Sequence, residues 1–359
     1  MWRNRPCYRL RADPSRFRDG SCQGRAGAPC PEGCEGGSAI STSDAAARIE
    51  ETTIAEYLAL KGEPVEFRAL IRQVTFAAKR VAAELRTAGL DGMLGATGGT
   101  NVQGEKVQRL DEYANRTFVS NLLRSPSISD LVSEEMSEGL HLAHHHGGGY
   151  ALLFDPIDGS SNLDVDMAVG SIFSVRRSAD VLASGHNQIA AGYVLYGPSC
   201  LCVLAMPKYG VNCFVLDPSI GEFLFSAGPI QMPQEGSSYG ANEGNATGWS
   251  RPVQEYVRWL RGPGKHSTRY SGALVGDFHR ILLKGGVYLY PADGNHADGK
   301  LRLLYEAAPL AFIAQIAGGR AISETQDILD IVPTRIHERV PLIIGSASEI
   351  GRLVPPARR

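Results

Sequence analysis

Residues 150–164, Tyr-Ala-Leu-Leu-Phe-Asp-Pro-Ile-Asp-Gly-Ser-Ser-Asn-Leu-Asp, constrain the fold of this chain more than any other stretch. The apolar run over 150–154 predicts a buried strand. We expect Asp155 and Pro156 to end that strand, because proline has no amide hydrogen for the ladder and restricts the residue before it. A tight turn after the strand would aim the carboxylates of Asp155 and Asp158 at one point.

The residues after this turn are suited to binding an anion. Gly159, Ser160, Ser161 and Asn162 are small and polar, and they offer backbone amides and hydroxyl groups. Two carboxylates beside an anion cradle suit Mg²⁺ that bridges the protein and a phosphate. A solvated turn is the plain alternative. The strand, the proline and the Gly-Ser-Ser-Asn run occur together, and this combination favours the metal and phosphate site.

The composition is that of an ordinary globular protein. At 359 residues, the chain is long enough for two packed domains or one large one. The net charge of −2 gives no general attraction to nucleic acid or to an anionic membrane, and no apolar run is long enough to span a bilayer. We therefore expect neither a nucleic-acid nor a membrane partner. Seven cysteines without a signal peptide predict a reducing compartment.

Composition also divides the chain into three parts. Residues 1–48 are rich in Arg, Gly, Pro and Cys, lack hydrophobic periodicity, and are expected to be a disordered extension. A Gly-, Pro- and Ser-rich stretch over 228–248 predicts a junction. We therefore predict an N-terminal α/β half over 49–229, which carries the metal motif, and a C-terminal α/β half over 230–359. The cytoplasm is the expected location, with a plastid as the alternative if the Arg-rich extension is a transit peptide.

Hydrophobic periodicity predicts the elements that carry the polar residues. Before the central motif, we predict a helix over 65–88, a Gly-rich loop over 95–104, a helix over 105–123 and a strand over 128–132. After it, we predict strands over 169–177, 188–196 and 201–206, a hairpin over 211–225, helices over 252–261 and 270–283, a strand over 287–290, and a helix from 300 to Gly318.

The acidic residues that could form a site are Glu105, Asp111, Glu134, Glu135, Asp155, Asp158 and Glu306. No Cys-His or Ser-His arrangement in the chain looks like a nucleophile pair. Many carboxylates with a few cations suit metal-assisted transfer of a phosphoryl group to water, in which a carboxylate accepts the proton of the water. Arg302 and Glu306 form either a helical ion pair or part of that site, with Glu306 at the metal and Lys300 and Arg302 at phosphate.

The run from Asp155 to Asn162 resembles the signature of the metal-dependent, lithium-sensitive phosphatase superfamily. Further stretches narrow the resemblance to class I fructose-1,6-bisphosphatases, at residues 101–111, 133–135, 242–244, 269–270, 300–306 and 329–337. The resemblance runs from about residue 52 to residue 352. It implies a layered α/β/α/β/α sandwich of the sugar-phosphatase type, with two halves in one chain and a homotetrameric assembly. It also implies Mg²⁺-dependent hydrolysis of D-fructose 1,6-bisphosphate to D-fructose 6-phosphate and phosphate.

The resemblance further implies a role for individual residues. Two or more Mg²⁺ ions, for which Mn²⁺ or Zn²⁺ can substitute, would be bound by Glu134, Asp155, the Ile157 carbonyl, Asp158 and Glu306. The catalytic residues would be Asp111 and Glu135, which orient and deprotonate the attacking water, and Glu105 on a mobile loop. The substrate would be bound by Asp158, Gly159, Ser160, Ser161, Asn242, Arg269 from a neighbouring subunit, Tyr270, Tyr290, Lys300 and Arg302.

Three departures from the family pattern affect the expected regulation. Asn245 stands where many animal members have a phosphate-contacting tyrosine. The stretch that resembles the AMP-binding segment is Gly-Glu-Pro-Val-Glu at 62–66, and Gly149 replaces a lysine, although Arg177 matches the AMP-site arginine. We therefore predict weak or absent inhibition by AMP. The short segment 177–188 lacks the cysteine-bearing redox loop of light-regulated chloroplast enzymes, which weakens the plastid alternative.

Several alternatives remain open from the sequence. Sedoheptulose-1,7-bisphosphatase activity, alone or as a second activity, is the nearest one, and the metabolic role is gluconeogenesis or carbon fixation. An inositol-type monophosphatase would not need the second phosphate site formed by Asn242, Arg269, Tyr270 and Lys300. A catalytically inactive regulatory homologue is an alternative of another class, which the intact acidic set disfavours. The absence of a basic patch with interleaved aromatic residues disfavours a nucleic-acid binder.

Overall fold

The computed structural model of the chain describes residues 51–100, 106–142, 149–177 and 180–353, without the side chains of residues 96–100, 106 and 107. These residues belong to the unit Ser43–Arg359. The elements up to residue 230 are α1 (Ile54–Leu60), α2 (Val65–Thr87), β1 (Ala96–Thr100), β2 (Lys106–Gln108), α3 (Arg109–Leu122), β3 (Ile128–Ser133), β4 (Leu140–His141), β5 (Tyr150–Asp158), a 3₁₀ helix (Ser160–Val165), β6 (Val169–Arg177), β7 (Ala190–Tyr196), β8 (Cys200–Met206), β9 (Gly210–Asp217) and β10 (Glu222–Ile230).

The elements after residue 230 alternate short strands with helices. In chain order they are β11 (Ser238–Ala241), a 3₁₀ helix (Glu243–Gly248), α4 (Arg251–Leu260), β12 (Ser267–Thr268), α5 (Leu274–Lys284), β13 (Val287–Tyr290), β14 (Leu301–Arg302), a π-helix (Leu303–Ala307), α6 (Ala308–Ile316), β15 (Gly319–Ile322), a 3₁₀ turn (Ile328–Asp330), β16 (Arg339–Val340), β17 (Leu342–Ser346) and α7 (Ala347–Leu353).

Two sheets form the framework. The first has eight strands in the order β10-β9-β8-β7-β6-β5-β3-β4. Its neighbouring strands are antiparallel except β3 and β5, which run parallel. The second has five strands in the order β12-β11-β13-β17-β15. Two further pairs, β1–β2 and β14–β16, form short ribbons, and the second ribbon carries part of the polar cleft described below.

Helices cover both sheets and separate them. Helices α1, α2 and α3 bury their apolar sides against one face of the eight-stranded sheet, where the ring of Phe118 stacks on that of Phe154 at 5.4 Å. Helices α5 and α6 lie between the two sheets, and the ring of Phe278 contacts the edge of the Tyr193 ring at 5.9 Å. Helices α4 and α7 cover the outer face of the five-stranded sheet. This order confirms the predicted layered α/β/α/β/α sandwich.

The central strand β5 is buried on both faces, as the sequence predicted. Leu152 and Phe154 join the core beneath the outer helices, whereas Ala151 and Leu153 join a second cluster with Leu304. This alternation follows from the pleat of a strand, which turns successive side chains to opposite faces. A strand covered on both faces reads as a continuous apolar run rather than an alternating one.

The prediction that Asp155 and Pro156 end this strand was wrong, because β5 continues to Asp158. Strand β3 pairs with β5 only as far as Ser133 opposite Phe154, so Pro156 lies beyond the last pair of that ladder. On the other side, the register with β6 shifts between Asp155 and Asp158, as at a bulge. Proline is tolerated in strands at such positions. The hydroxyl of Ser171 donates to the Pro156 carbonyl at 2.7 Å and holds the irregular part in place.

Two predicted helices begin later than the periodicity indicated. The helix expected over 105–123 begins at Arg109, and the one expected over 270–283 begins at Leu274. Part of the predicted loop over 95–104 is strand β1, which pairs with β2. Each helix start is fixed by a carboxylate that accepts from backbone amides, which local periodicity does not reveal. For the second helix, that carboxylate is Asp158, 116 residues away from Leu274 in the chain.

The helix predicted from Lys300 onward was also wrong in its first part. Leu301 and Arg302 form strand β14, a π-helical turn follows, and the α-helix begins only at Ala308. Arg302 and Glu306 therefore do not lie on one α-helix, as a helical pair would require. Instead, the backbone N–H of Arg302 donates to the Glu306 carboxylate.

Other features of the described residues agree with the sequence. Cys200, Cys202 and Cys213 are buried free thiols, as expected. No helix among the described residues is both long enough and apolar enough to cross a membrane. The predicted extension over 1–48 lies outside the described residues, as does Glu105.

Candidate active site

A polar cleft of about 500 Å³ lies where the ends of β3 and β5 meet the β14 ribbon and the π-helix. It brings together most of the residues that the sequence singled out. Those that line it are Asp111, Glu134, Glu135, Asp155, Ile157, Asp158, Gly159, Ser160, Ser161, Tyr290, Lys300, Arg302 and Glu306. They come from positions up to 195 residues apart in the chain, and the two sheets with their helices bring them to one place.

Three carboxylates form a candidate metal centre at the bottom of this cleft. Glu134, Asp155 and Glu306 each place an oxygen within 4.8 Å of the others. Asp155 and Glu306 are buried, and the side chain of Glu134 is 13% exposed. Like charges at such distances repel one another strongly when water is largely excluded. An all-oxygen set of this kind fits a hard divalent cation, which would offset the repulsion.

The backbone fixes where these three carboxylates lie. The Glu134 amide donates to the Phe154 carbonyl at 3.1 Å, which extends the β3–β5 contact by one residue. The Asp155 carboxylate accepts from the Ile157 amide at 2.9 Å, within its own turn. Burial, followed by the charges of Glu134 and Glu306, raises the pKa of Asp155 well above its usual value.

Asp158 joins the cleft to the middle helical layer. Its two carboxylate oxygens accept from the amides of Leu274 at 3.2 Å and Val275 at 2.7 Å, at the start of helix α5. Burial raises the pKa of Asp158 to about 7. These two amide donors oppose the rise, and the charges of Glu134 and Asp277 add to it. A carboxylate with this pKa exchanges a proton for a metal ion near neutral pH.

The turn after β5 forms an anion cradle beside the carboxylates. Gly159 has φ +79°, and a Cβ atom added there would lie 2.5 Å from the Cβ of Ala273, so only glycine fits. A 3₁₀ helix begins at Ser160. The first N–H groups of such a helix have no carbonyl acceptor within the helix, so they can donate to an anion. The Asn162 amide group donates to the Ser271 carbonyl at 3.1 Å and ties the cradle to the residues before α5.

Two further acidic residues line the cleft near the carboxylate centre. Asp111 lies in the first turn of α3, is 5% exposed, and accepts from the Gln108 amide at 3.1 Å. Glu135 follows Glu134, and its amide donates to the Ser133 hydroxyl at 3.4 Å. Glu105, which the sequence placed with them, lies outside the described residues.

Cations and aromatic rings also line the cleft. The guanidinium of Arg302 is buried, and its Nη2 lies 3.6 Å from Oε1 of Glu134, so it partly offsets the negative charge of the acidic cluster. Lys300 is exposed at the mouth of the cleft. The rings of Tyr270, Tyr288 and Tyr290 stack in a row, with 6.4 Å between successive centroids.

Three predicted site residues lie outside the cleft lining. They are Asn242, Arg269 and Tyr270. The Asn242 side chain accepts from the Gly244 amide, and the Arg269 guanidinium is exposed and donates to the Thr268 carbonyl. Tyr270 reaches the cleft through its stacking on Tyr288.

Five residues that the sequence did not single out also line the cleft, namely Gln108, Gly272, Leu274, Tyr288 and Leu301. One of them had a usable signal. Tyr288 is two residues before Tyr290 in a predicted strand, so the two rings had to share a face. Gln108 and Leu301 lie within the stretches 101–111 and 300–306 that carry the resemblance. Leu274 is placed by its bond to the distant Asp158, which local patterns do not show.

The fold and the cleft together define a class of protein. A layered α/β sandwich that sets an acidic metal centre against an anion cradle is a metal-dependent sugar phosphatase. Two family models narrow this class. The model described as "Fructose-1-6-bisphosphatase, N-terminal domain" matches residues 48–228, and the corresponding C-terminal domain matches residues 232–356. The chain therefore belongs to the fructose-1,6-bisphosphatase family.

Individual relatives are similar over most of their length. The chain is 48% identical over 299 residues to a "Fructose-1,6-bisphosphatase class 1" of Trichormus variabilis, covering 80% of this chain and 85% of the relative. It is 47% identical over 326 residues to a protein of the same name from Synechococcus sp. (strain JA-2-3B'a(2-13)), covering 86% and 98%.

Solved structures give the same result for the fold. The holo form of Leishmania major fructose-1,6-bisphosphatase superposes with a TM-score of 0.81 at 38% identity, covering 84% of this chain and 98% of the other. The T-state of the same enzyme superposes with a TM-score of 0.76 at 36% identity.

Proposed function

We propose that this protein hydrolyses D-fructose 1,6-bisphosphate to D-fructose 6-phosphate and phosphate, with Mg²⁺ as the activating ion. The proposal rests on the cluster of the Glu134, Asp155 and Glu306 carboxylates in the same cleft as the cradle at Gly159. The 48% identity to a class 1 fructose-1,6-bisphosphatase supports it. The chemistry of the cleft and the family membership point to the same reaction class.

The metal ligands in this proposal are the carboxylates of Glu134, Asp155, Asp158 and Glu306 with the Ile157 carbonyl. When bound, a divalent cation neutralises phosphate charge and makes a water molecule a stronger acid. Mg²⁺ is proposed because these ligands are oxygen atoms, and Mn²⁺ would also accept them. Zn²⁺ prefers nitrogen and sulfur donors, so it is the less suitable substitute here.

The phosphate that is cleaved would lie in the cradle at Gly159, Ser160 and Ser161. Its oxygens would accept from backbone amides there, as anions do at helix starts. The buried guanidinium of Arg302 supplies positive charge to the cleft, next to Glu134. A guanidinium remains charged when buried and matches the geometry of phosphate oxygens.

The proton of the attacking water would be accepted by the pair Asp111 and Glu135. Asp111 is oriented by the Gln108 amide and is 5% exposed, which keeps its carboxylate in one position. A positioned carboxylate of this kind acts as a general base. Glu105 would join them, from the segment between β1 and β2.

The second phosphate of the substrate would lie toward the tyrosine row, held by Tyr270, Tyr290, Lys300 and Asn242. Arg269 is exposed, its guanidinium donates to the Thr268 carbonyl, and it does not line the cleft. We propose that it completes the site of a neighbouring subunit in a homotetramer.

Two coarser features of the molecule belong to the same proposal. The family models meet between residues 228 and 232, which supports two α/β halves over 49–229 and 230–359. The cytoplasm is the proposed location, and a sugar bisphosphate is the proposed small-molecule partner.

The proposal is tested by measuring fructose 6-phosphate from purified protein after removal of divalent ions with EDTA. We expect no product until Mg²⁺ is added back, and full recovery afterwards. Asp155→Asn protein that remains folded is the control and should stay inactive with Mg²⁺. Product formation that is equally fast in EDTA would refute the proposed mechanism.

A further inference from the structure

We propose that Asp277 is a positioning residue that holds the segment Arg269–Ala273 against the cleft, and so sets the affinity for the distal phosphate of the substrate. This inference rests on the proposed function. Asp277 lies in the first turn of α5 and does not line the cleft. It is nevertheless buried, with only 6% of its surface exposed. An acidic side chain is seldom buried without a structural or functional reason.

The contacts of Asp277 show what it holds. Both carboxylate oxygens accept from the Ser271 amide, each at 3.0 Å. Burial raises the pKa of Asp277, and hydrogen bonding by Ser271 and by the Gly272 amide lowers it. Backbone amides that turn inward on a buried carboxylate are strongly ordered, since both sides would lose their partners if the segment moved.

The segment that Asp277 orders carries residues of both phosphate sites. Upstream lie Arg269 and Tyr270, the proposed ligands of the distal phosphate. Downstream, Ala273 touches the position where Gly159 would carry a Cβ, so it abuts the anion cradle. Gly272, between them, has φ +87° and lines the cleft.

Two carboxylates fix this segment, one at each end. Asp158 accepts from the amides of Leu274 and Val275, and so fixes the end next to the anion cradle. Asp277 accepts from Ser271 and fixes the end next to Tyr270. Loss of Asp277 should therefore release Tyr270 and leave the anion cradle in place, because Asp158 still holds the other end.

Because Asp277 holds only the end next to Tyr270, its loss should affect binding of the distal phosphate and not catalysis in general. Kinetics with two substrates test this. The kinetics of Asp277→Ala are measured with fructose 1,6-bisphosphate and with fructose 1-phosphate, which lacks the distal phosphate. We expect KM for the bisphosphate to rise on the order of tenfold with little change in kcat, since a lost buried hydrogen bond has an effect of that size. Activity toward fructose 1-phosphate should not change.

A second variant and a control keep the test decisive. Asp277→Asn preserves the shape of the side chain and one acceptor oxygen, so it should fold and show a smaller rise in KM. Asp217 accepts from the Ser219 amide at 2.8 Å in the β9–β10 turn, and Asp217→Ala removes a similar bond with no effect expected on either substrate.

The outcomes distinguish this inference from the proposed function. Equal loss of activity toward both substrates in either folded Asp277 variant, or an unchanged KM in both, would overturn the positioning role. Failure of the wild-type protein to hydrolyse the bisphosphate with Mg²⁺ would instead overturn the proposed function.

Discussion

Asp158 shows how a single residue serves both the fold and the site. Its carboxylate lines the cleft, and the same two oxygens accept from the first amides of α5. In its ionised form the carboxylate stabilises a helix start, and it is also one of the proposed metal ligands. Its neighbour Gly159 adds a backbone turn that only glycine fits. The chemistry and the local structure are set by the same few residues.

Asp158→Asn should abolish catalysis without unfolding the protein. Asparagine keeps one oxygen to accept from the α5 amides but loses the charge that a cation requires. We expect kcat to fall by at least about 100-fold, because loss of even indirect metal contacts has effects of this size. Phosphate release gives the rate, and the far-UV circular dichroism spectrum should match that of the wild type. Full activity in this variant would contradict the assigned site.

The raised pKa of Asp158 predicts how pH affects the metal-free protein. Its pKa is about 7 in the folded state, against 3.8 for an ordinary aspartate. The folded state thus binds this proton more tightly than the unfolded state does. The group's contribution is therefore fully favourable below pH 3.8 and is lost as the pH rises through about 7.

Thermal unfolding with and without Mg²⁺ measures this effect. We expect Mg²⁺ to raise Tm more at pH 8 than at pH 6, since protons compete with the ion at the lower pH. In Asp158→Asn, which cannot ionise at this position, the difference between the two pH values should shrink. A Tm increase by Mg²⁺ that is the same at both pH values in the wild type would argue against this assignment.

Gly159→Ala should destabilise the protein more than an equivalent change elsewhere. The added Cβ meets the Cβ of Ala273, and the residue keeps a left-handed φ. We expect a loss of about 3 kcal/mol in the free energy of unfolding, from backbone strain plus overpacking. Gly221 has φ +68° with nothing within 4 Å of an added Cβ, so Gly221→Ala should lose about 1 kcal/mol from strain alone. Equal losses in denaturant titrations would show that the Ala273 contact is unimportant.

At the scale of elements, local patterns predicted those parts that local forces determine. Helix α2 follows from apolar residues at helical spacing, and its predicted bounds of 65–88 agree closely with Val65–Thr87. The strand over 150–154 likewise follows from an apolar run. In contrast, the π-helix at Leu303–Ala307 forms where Glu306 accepts from the Arg302 amide in a buried setting. No periodicity in the sequence encodes that contact.

The sequence likewise predicted the parts of the site that local motifs carry and missed those that depend on long-range contacts. The acidic residues could be grouped because motifs in the sequence carry them. The hydrogen bond from the Leu274 amide in α5 to Asp158 joins residues 116 apart in the chain, so it exists only in the folded protein. For the same reason, the sequence missed Leu274 and Gly272, whose positions in the cleft depend on that hydrogen bond.

The contact between β5 and β6 bears on inhibition by AMP. Arg177 ends β6, and its guanidinium lies 4.9 Å from the centre of the Tyr150 ring, opposite it in the sheet. The arginine that matches the AMP-site residue is thus engaged by an aromatic ring, and the lysine of the family pattern is Gly149 here. We expect AMP at about 1 mM, a concentration that occupies even a weak binding site, to inhibit hydrolysis weakly or not at all. Strong inhibition in a phosphate-release assay would contradict this prediction.

At the scale of the whole molecule, the five layers explain why the cleft lies where it does. The eight-stranded sheet supplies Glu134, Asp155 and Asp158 from the ends of β3 and β5. The five-stranded sheet supplies Tyr290 from β13, and the segment before the middle helical layer supplies Glu306. The cleft is therefore built by both sheets and the helices between them, and neither sheet forms it alone.

The cleft contains two groups of polar side chains, which agrees with a proposed substrate that has two phosphates. In the proposed function the carboxylates and the cradle hold the phosphate that is cleaved, and Tyr288, Tyr290 and Lys300 line the same cleft. A substrate with a single phosphate would leave the second group of contacts unused. The architecture thus favours a sugar bisphosphate over a monophosphate.

The most direct test of this account is phosphate release by the purified protein with Mg²⁺, comparing fructose 1,6-bisphosphate, sedoheptulose 1,7-bisphosphate and inositol 1-phosphate. The account predicts rapid, metal-dependent hydrolysis of fructose 1,6-bisphosphate and none of inositol 1-phosphate. Equal turnover of the two bisphosphates would extend the substrate range toward carbon fixation. Well-folded protein that hydrolyses none of the three, or that prefers inositol 1-phosphate, would contradict the account.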